Sequence, residues 1–364
     1  MKEIRSIIKA YEQTDFTKEK IALAAVVGVE ASSYRRIGAR MLVNSNGTWT
    51  GGISGGCLEG DALKRAQKAI FSGEPSRVVY DTMEEDSNQI GIGLGCNGRI
   101  EVLFSPIDPK DEENEIELLK KLLRAEQPSI LIKVIDAPAS LRLLGHKLLV
   151  ENFHEPVHFA GINPIALAKF ITTTREKKQS LTFDYQTVHG DSLRLLVEFI
   201  RPEIRLIIVG DNYDVSAMLG ISEQLGWEVF VVGKAKKLPK PAFQQAKKVL
   251  DFSQINQISL HDYTAVLLMS HDYNRDKAML AEILAKNPPY LGILGPKKRF
   301  LKMQNEMPEV DFRGIDFLYS PTGLEIGAET PSEIALSIAA EILAVFRGKK
   351  GRFLREKQGT IHEK

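Results

Sequence analysis

Cysteine is scarce in this chain: Cys57 and Cys96 are the two among 364 residues. That excludes a disulfide framework. Without a CxxC pair or neighbouring histidines it also excludes a self-sufficient structural zinc site, and no cysteine set is present for an iron–sulfur cluster. An excess of charge is missing too. Lysine and arginine total 48 against 47 aspartates and glutamates, a formal net charge of +1. No basic surplus points to nucleic acid as a partner, and the basic stretch from Arg347 to Lys357 reads as a solvated tail. No run of about 18 consecutive apolar residues exists, so no membrane-spanning helix is expected. The opening residues carry Lys2, Glu3 and Arg5 where a secretory leader would need its apolar core. A cytoplasmic chain is the expectation.

What is present is an ordinary globular composition, 43% hydrophobic and 26% charged, over a length that suggests two domains with a third subregion. The pattern predicts an N-terminal mixed α/β domain over 1–108 and a connecting α/β segment over 109–200. A Rossmann-like domain with a doubly wound parallel sheet follows over 201–348, then a basic tail over 349–364. The nearly continuous apolar run Ile21 to Val29 suits a buried strand. Asn46-Gly47 between two short apolar runs predicts a hairpin. Leu58 to Phe71 reads as a helix stopped by Gly73. From Arg205 onward strand and helix patterns alternate, the mark of a parallel sheet covered on both faces. Thr330, Pro331 and Glu333 form a T-x-x-E capping box that opens the last long helix.

Three constellations carry candidate chemistry. In the first, Arg35, Arg36 and Arg40 precede the glycine-rich run "GGISGGCLEG" at 51–60. Glycines at 55 and 56 let backbone amides approach an anion, the arginines offer forked donors, and Cys57 stands at or just before a helix start, a position that favours the thiolate. A tight turn around a buried structural cysteine explains the same residues. The second is "GIGLGCNGRIEVL" at 91–103, with Gly95 and Asn97 around Cys96. Its order, loop then strand, is the reverse of a dinucleotide fingerprint. Either a ligand reaches this thiol or the segment is a plain surface loop. Two thiols in glycine-rich loops fit a shared site, and soft thiolates suit soft metals or sulfur transfer.

The third, "RLIIVGDNYDVSAML" at 205–219, has the strand–turn–helix placement of a dinucleotide site. Its turn is Gly210, Asp211, Asn212, so the second glycine is absent, and the next strand ends in Gly233-Lys234 without an acidic residue for a ribose. His271 and Asp272, at the carboxyl end of a later strand, are candidates for acid–base work. Lys297, Lys298 and Arg299 at a helix start are candidates for an anion. Local capping and solvated charge explain each equally well.

Taken in order, "SSYRRIGARMLV", "GGISGGCLEG", "GLGCNGRIEVL", "MSHDYNRDKAML", "YLGILGPKKR" and "SPTGLEIGAETPSEIALSIAAEILA" resemble the XdhC/CoxI family of xanthine dehydrogenase accessory factors. The resemblance runs from about residue 31 to 345 and is weak between 106 and 200. It implies a non-enzymatic chaperone that transiently binds the molybdenum cofactor, favours its sulfurated form and promotes its insertion into a xanthine dehydrogenase-type molybdoenzyme. It further implies a homodimer that meets both that enzyme and a cysteine desulfurase. Carried over, Cys57 and Cys96 occupy the glycine-embedded cysteine positions, close to the molybdenum, while Gly210, Asp211, Asn212, His271, Asp272 and Arg299 fall in the C-terminal blocks. The departure from the family lies at "GDNYD", where similar proteins carry a G-A-G-x-D turn. The alternative function, an NAD(P)-dependent oxidoreductase built on the Rossmann-like domain, is weakened by that same turn.

Overall fold

The computed structural model describes residues 1–31, 34–81, 98–153 and 155–358. They divide into two compact units, one of residues 3–202 and one of residues 203–358 with the first two residues.

The first unit begins with α1 (Lys2–Glu12), β1 (Ile21–Ala31), β2 (Arg40–Asn44), β3 (Trp49–Gly51), α2 (Glu59–Ser72), β4 (Ser76–Asp81) and β5 (Gly98–Ile107). The strands form an antiparallel sheet in the order β3-β2-β1-β5-β4. β1 reads as one apolar run because both its faces are covered. Ala22, Ala24 and Val26 share a core with Ala62, Ala66 and Ala69 of α2, and these small residues let the helix lie close. Ala25 and Val27 turn the other way, onto Ile135 and Leu196. Those two belong to a second antiparallel sheet. Its elements are α3 (Glu115–Arg124), β6 (Ser129–Asp136), β7 (Lys147–Val150), α4 (Pro164–Lys177), β8 (Leu181–Gln186) and β9 (Ser192–Ile200), with strand order β7-β6-β9-β8. α4 covers its outer face through Leu167 and Ile171.

Between the two sheets lies a buried charge quartet. Arg40 Nε donates to Glu115 at 2.9 Å and its terminal nitrogens donate to both oxygens of Glu198 at 3.1 and 2.7 Å, while Lys133 donates to Glu115 at 2.7 Å. All four residues are buried. Charges so placed must be paired to be tolerated, and here β2, α3, β6 and β9 each contribute one.

The second unit runs β10 (Arg205–Val209), α5 (Asp214–Leu225), β11 (Glu228–Val232), α6 (Ala242–Gln245), β12 (Lys248–Leu250), β13 (Thr264–Leu268), α7 (Tyr273–Leu284), β14 (Tyr290–Ile293), α8 (Lys297–Asn305), β15 (Leu318–Tyr319) and α9 (Pro331–Phe346). All its strand pairs are parallel, in the order β12-β11-β10-β13-β14-β15. Val215, Met218 and Ile338 of α5 and α9 pack on one face and Leu280, Ile283 and Met303 of α7 and α8 on the other, so the sheet is doubly wound as expected. The capping box of α9 is present in both directions, Thr330 taking the Glu333 amide and Glu333 taking that of Thr330. Among the described residues no helix is long and apolar enough to cross a membrane.

Candidate functional site

In the first unit, the chain leaves the β2–β3 hairpin through Gly51, whose φ of +86° and missing Cβ let it pass the carbonyl of Arg40; a Cβ would lie 2.4 Å from that oxygen. Residues 52–58 then form a loop organised by a side chain that the sequence did not single out. The Glu59 carboxylate accepts from the amides of Ile53, Ser54 and Leu58 at 3.2, 2.8 and 3.2 Å and from the Ser54 hydroxyl. Burial pushes this carboxyl up, but the bonds from Ser54, Ile53 and its own amide outweigh that and hold it below the usual carboxylate range. The glycine turn is therefore not the open anion cradle expected: the chain's own carboxylate fills much of it. Among the described residues, the amides of Gly55 and Cys57 are left without an acceptor in this loop. A Cβ at Gly55 would lie 3.3 Å from the Tyr34 ring, whereas one at Gly56, whose φ is +111°, would meet none of the described atoms within 4 Å. α2 begins at Glu59, with Leu58 as its capping residue. Cys57 thus precedes the helix rather than sitting in its first turn, and its side chain is exposed.

The three arginines part company. Arg35 pairs with Glu3, which also accepts the Gly52 amide at 3.2 Å, so Arg35 is tied to the glycine turn through a carboxylate. Arg36 is partly buried, and that burial pushes its guanidinium down from its ordinary value. Arg40 corrects the sequence reading. The residue is 2% exposed and its guanidinium is committed to Glu115 and Glu198, so it holds the two sheets and is closed to a ligand. Cys96, Gly95 and Asn97, the other half of the expected cofactor site, lie outside the described residues.

The second unit places Gly210, Asp211, Asn212, His271 and Asp272 at the carboxyl edge of its sheet, where strand order reverses between β10 and β13. This is the usual ligand crevice of such folds. The side chains there do not suit a dinucleotide. Asp211 is buried; it accepts the Lys234 amide at 3.1 Å and lies 3.6 Å from Lys237 and 3.7 Å from Arg275. Asn212 donates to the Met269 carbonyl across the crevice. A pyrophosphate entering at α5 would meet Asp211 and Asp214. Gly233 is needed for backbone approach, since a Cβ there would lie 2.6 Å from the Gly210 carbonyl oxygen.

His271 and Asp272, both candidates for acid–base work, have different partners. Asp272 caps α7 through the Arg275 amide at 3.1 Å. His271 Nε2 instead meets Asp214 Oδ2 at 2.8 Å, and a carboxylate only accepts, so the shared proton sits on Nε2. Arg299 is likewise engaged: it donates at 2.6 Å to Asp276, a carboxylate with no exposure. Burial raises the Asp276 carboxyl against the opposing pull of Ser270 and Arg299. Lys297 and Lys298 stand exposed at the start of α8.

Sequence reasoning missed Glu59, Asp214 and Asp276. Glu59, in the first turn of one predicted helix, and Asp214, just before another, left a faint signal, since carboxylates are favoured at helix starts. The pairing of Asp214 with His271 across 57 positions left none.

Comparison with known proteins gives a consistent picture. Residues 206–342 match the XdhC Rossmann domain and residues 17–81 match the XdhC and CoxI family. A Bacillus subtilis (strain 168) protein, by name one of the probable subunits of xanthine dehydrogenase, is 28% identical over 331 residues, 90% of this chain and 93% of that one. The Escherichia coli (strain K12) molybdenum cofactor insertion chaperone PaoD is 24% identical over 344 residues, 94% of this chain and 88% of its own. A crystal structure from Bacillus halodurans, described as a xanthine dehydrogenase, superposes with a TM-score of 0.75 at 29% identity, covering 96% of this chain and 97% of that one.

Proposed function

The chain belongs to the XdhC/CoxI family, and from that membership we propose that it is a maturation factor that carries the molybdenum cofactor to a xanthine dehydrogenase-type enzyme. The names of its relatives, a molybdenum cofactor insertion chaperone and one of the probable subunits of xanthine dehydrogenase, support this reading. The structural observation that carries it is the exposed thiol of Cys57 on a loop whose shape Glu59 fixes from within. A thiol held outward on a stiff, glycine-rich loop is reachable by a large cargo, and soft sulfur suits molybdenum and its sulfido group. The Gly55 and Cys57 amides, with Arg36 and Tyr34 on the preceding segment, are the groups we assign to the cargo's polar and flat parts. Cys96 with Gly95 and Asn97 would complete the site.

In this reading the cargo is bound transiently in its sulfurated form, the sulfur comes from a cysteine desulfurase, and the working species is a cytoplasmic homodimer. The test is to incubate the purified chain with the molybdenum cofactor, desalt it, and measure retained molybdenum and pterin for wild type, Cys57→Ala and Cys96→Ala. Loss of about tenfold in retention, the usual size for a group tuning a metal centre, is expected for Cys57→Ala. Unchanged retention in both variants would remove the thiols from the mechanism.

A further inference from the structure

A strand at the end of a sheet offers its outer amides and carbonyls to another chain, and proteins blunt such ends with short strands, lysine, proline or bulges. β3, β12 and β15 are blunted by length, with three, three and two residues; β7 has four and carries Lys147, and β4 carries Arg77 and Asp81. β8 has no such protection. It lies at the end of its sheet, its six residues "LTFDYQ" include no lysine, proline or glycine, and its register with β9 runs without a shift. The core beneath it is incompletely covered as well. Phe170 of α4 stacks on Phe183 at 4.4 Å, yet both rings, with Leu181 and Tyr185, stay partly exposed. The hairpin fixes which backbone groups point outward. The Thr187 amide donates to the Asp191 carbonyl at 2.9 Å and the Thr187 carbonyl accepts from the Gly190 amide at 3.0 Å, so this residue faces β9. Bonding alternates along an antiparallel strand, so Tyr185, Phe183 and Leu181 face β9 too. Thr182, Asp184 and Gln186 therefore direct their amides and carbonyls away from the sheet, where no described strand lies.

We propose that this edge is where two copies of the chain join, β8 pairing antiparallel with its own counterpart about a twofold axis at Phe183. The sequence of the strand selects that register. An axis at Asp184 would set two carboxylates face to face, and one at Tyr185 would pair a shorter stretch. An axis at Phe183 sets Thr182 opposite Asp184 of the second copy, a hydroxyl donor against a carboxylate, and Leu181 opposite Tyr185. Asp184 is 84% exposed and its cation, Arg194, stands 3.8 Å away, so the carboxylate is open to that hydroxyl. The two Phe183 rings come opposite each other at a non-hydrogen-bonded position, where the Cα atoms approach to about 4.5 Å. The Phe170–Phe183 stack then continues across the axis, and the half-exposed rings cover one another. Cross-strand pairs of these kinds are the ones that stabilise sheets. The surface gives the homodimer of the proposed function its location and rests on that part of the reading alone; the loop around Cys57 takes no part in it.

The experiment is sedimentation equilibrium of the full chain from nanomolar to micromolar concentration, with far-ultraviolet circular dichroism of each variant. Wild type should sediment as a dimer that dissociates on dilution. Thr182→Pro removes an outward amide and obstructs an approaching strand, and proline is tolerated on an edge where the amide faces solvent. The variant should keep the wild-type circular dichroism and dissociate at least about tenfold more readily. Should it not fold, two further variants read the register. Thr182→Asp opposes Asp184 twice per dimer and should weaken association about tenfold, whereas Thr182→Lys meets the same carboxylates and should strengthen it. A monomeric wild type overturns the proposal together with the homodimer. A dimer unaffected by Thr182→Pro and Thr182→Asp overturns this surface and leaves the homodimer standing. Aspartate and lysine shifting association in the same direction overturns the pairing about Phe183.

Discussion

Replacing Arg40 with methionine should melt residues 3–202 well below the wild-type temperature, although the two side chains are similar in length. In the wild type two cations, Arg40 and Lys133, balance two carboxylates, Glu115 and Glu198, with every member buried. Methionine leaves one cation for two carboxylates, and Lys133 is engaged with Glu115, so Glu198 is left facing apolar surroundings. Breaking a buried pair from one side costs about 3–5 kcal/mol. The acid side gives a similar figure. Burial alone would raise the Glu115 carboxyl, yet Lys133 and Arg40 together bring it from 4.5 down to about 2, a drop worth about 3 kcal/mol at neutral pH. For a unit of this size about 3–5 kcal/mol lowers the melting temperature by roughly 6–20 °C. The assay is circular dichroism melting between pH 3 and pH 7. A carboxyl with a lowered folded value contributes stability above its unfolded value of 4.5 and loses it as pH falls toward 2. In Arg40→Met that loss should begin at higher pH. A variant that melts within about 2 °C of wild type across the whole range would refute the argument that the quartet holds this unit.

Two further outcomes are expected. Glu59→Gln turns an amide N–H₂ toward donors that now meet a carboxylate. The 52–58 loop should loosen by about 1–3 kcal/mol, read as faster amide exchange there and faster alkylation of Cys57; unchanged rates would show that Glu59 does not organise the loop. In wild type the same stiffening is present above the ordinary glutamate range and fades as pH falls through the lowered value of Glu59. Gly233→Ala puts a methyl 2.6 Å from the Gly210 carbonyl oxygen and 2.9 Å from Asp211 Cβ, so the second unit should lose about 3 kcal/mol or more in thermal melts; a neutral result would refute the close-approach account.

The parts of the fold legible in the sequence were those with long, periodic or capped segments. β1 was visible because both its faces are buried, α9 because Thr330 and Glu333 cap it, and the parallel sheet because strand and helix alternate from Arg205. The strands Lys248–Leu250 and Leu318–Tyr319 escaped because three and two residues cannot show a period. The candidate site was legible as residue types but not as partnerships. Arginine beside a glycine-rich turn looks the same in sequence whether it faces solvent, as a ligand needs, or two distant carboxylates, as Arg40 does. In the glycine run the amides of Ile53, Ser54 and Leu58 converge on a carboxylate that lies inside the run itself, at Glu59. His271 was singled out, while its partner Asp214 sits on another element and only the strand order brings the two together.

The quartet also bears on how this polypeptide can be divided. A fragment ending at residue 108 would keep Arg40 and forfeit Glu115 and Glu198, and it would open to water the apolar face of β1 that Ile135 and Leu196 cover. One starting at residue 109 would inherit two acids and a single lysine. Neither half is expected to persist as an isolated product of limited proteolysis, so a nick in the exposed stretch 108–110 should leave the two pieces associated and co-eluting until acid or denaturant separates them.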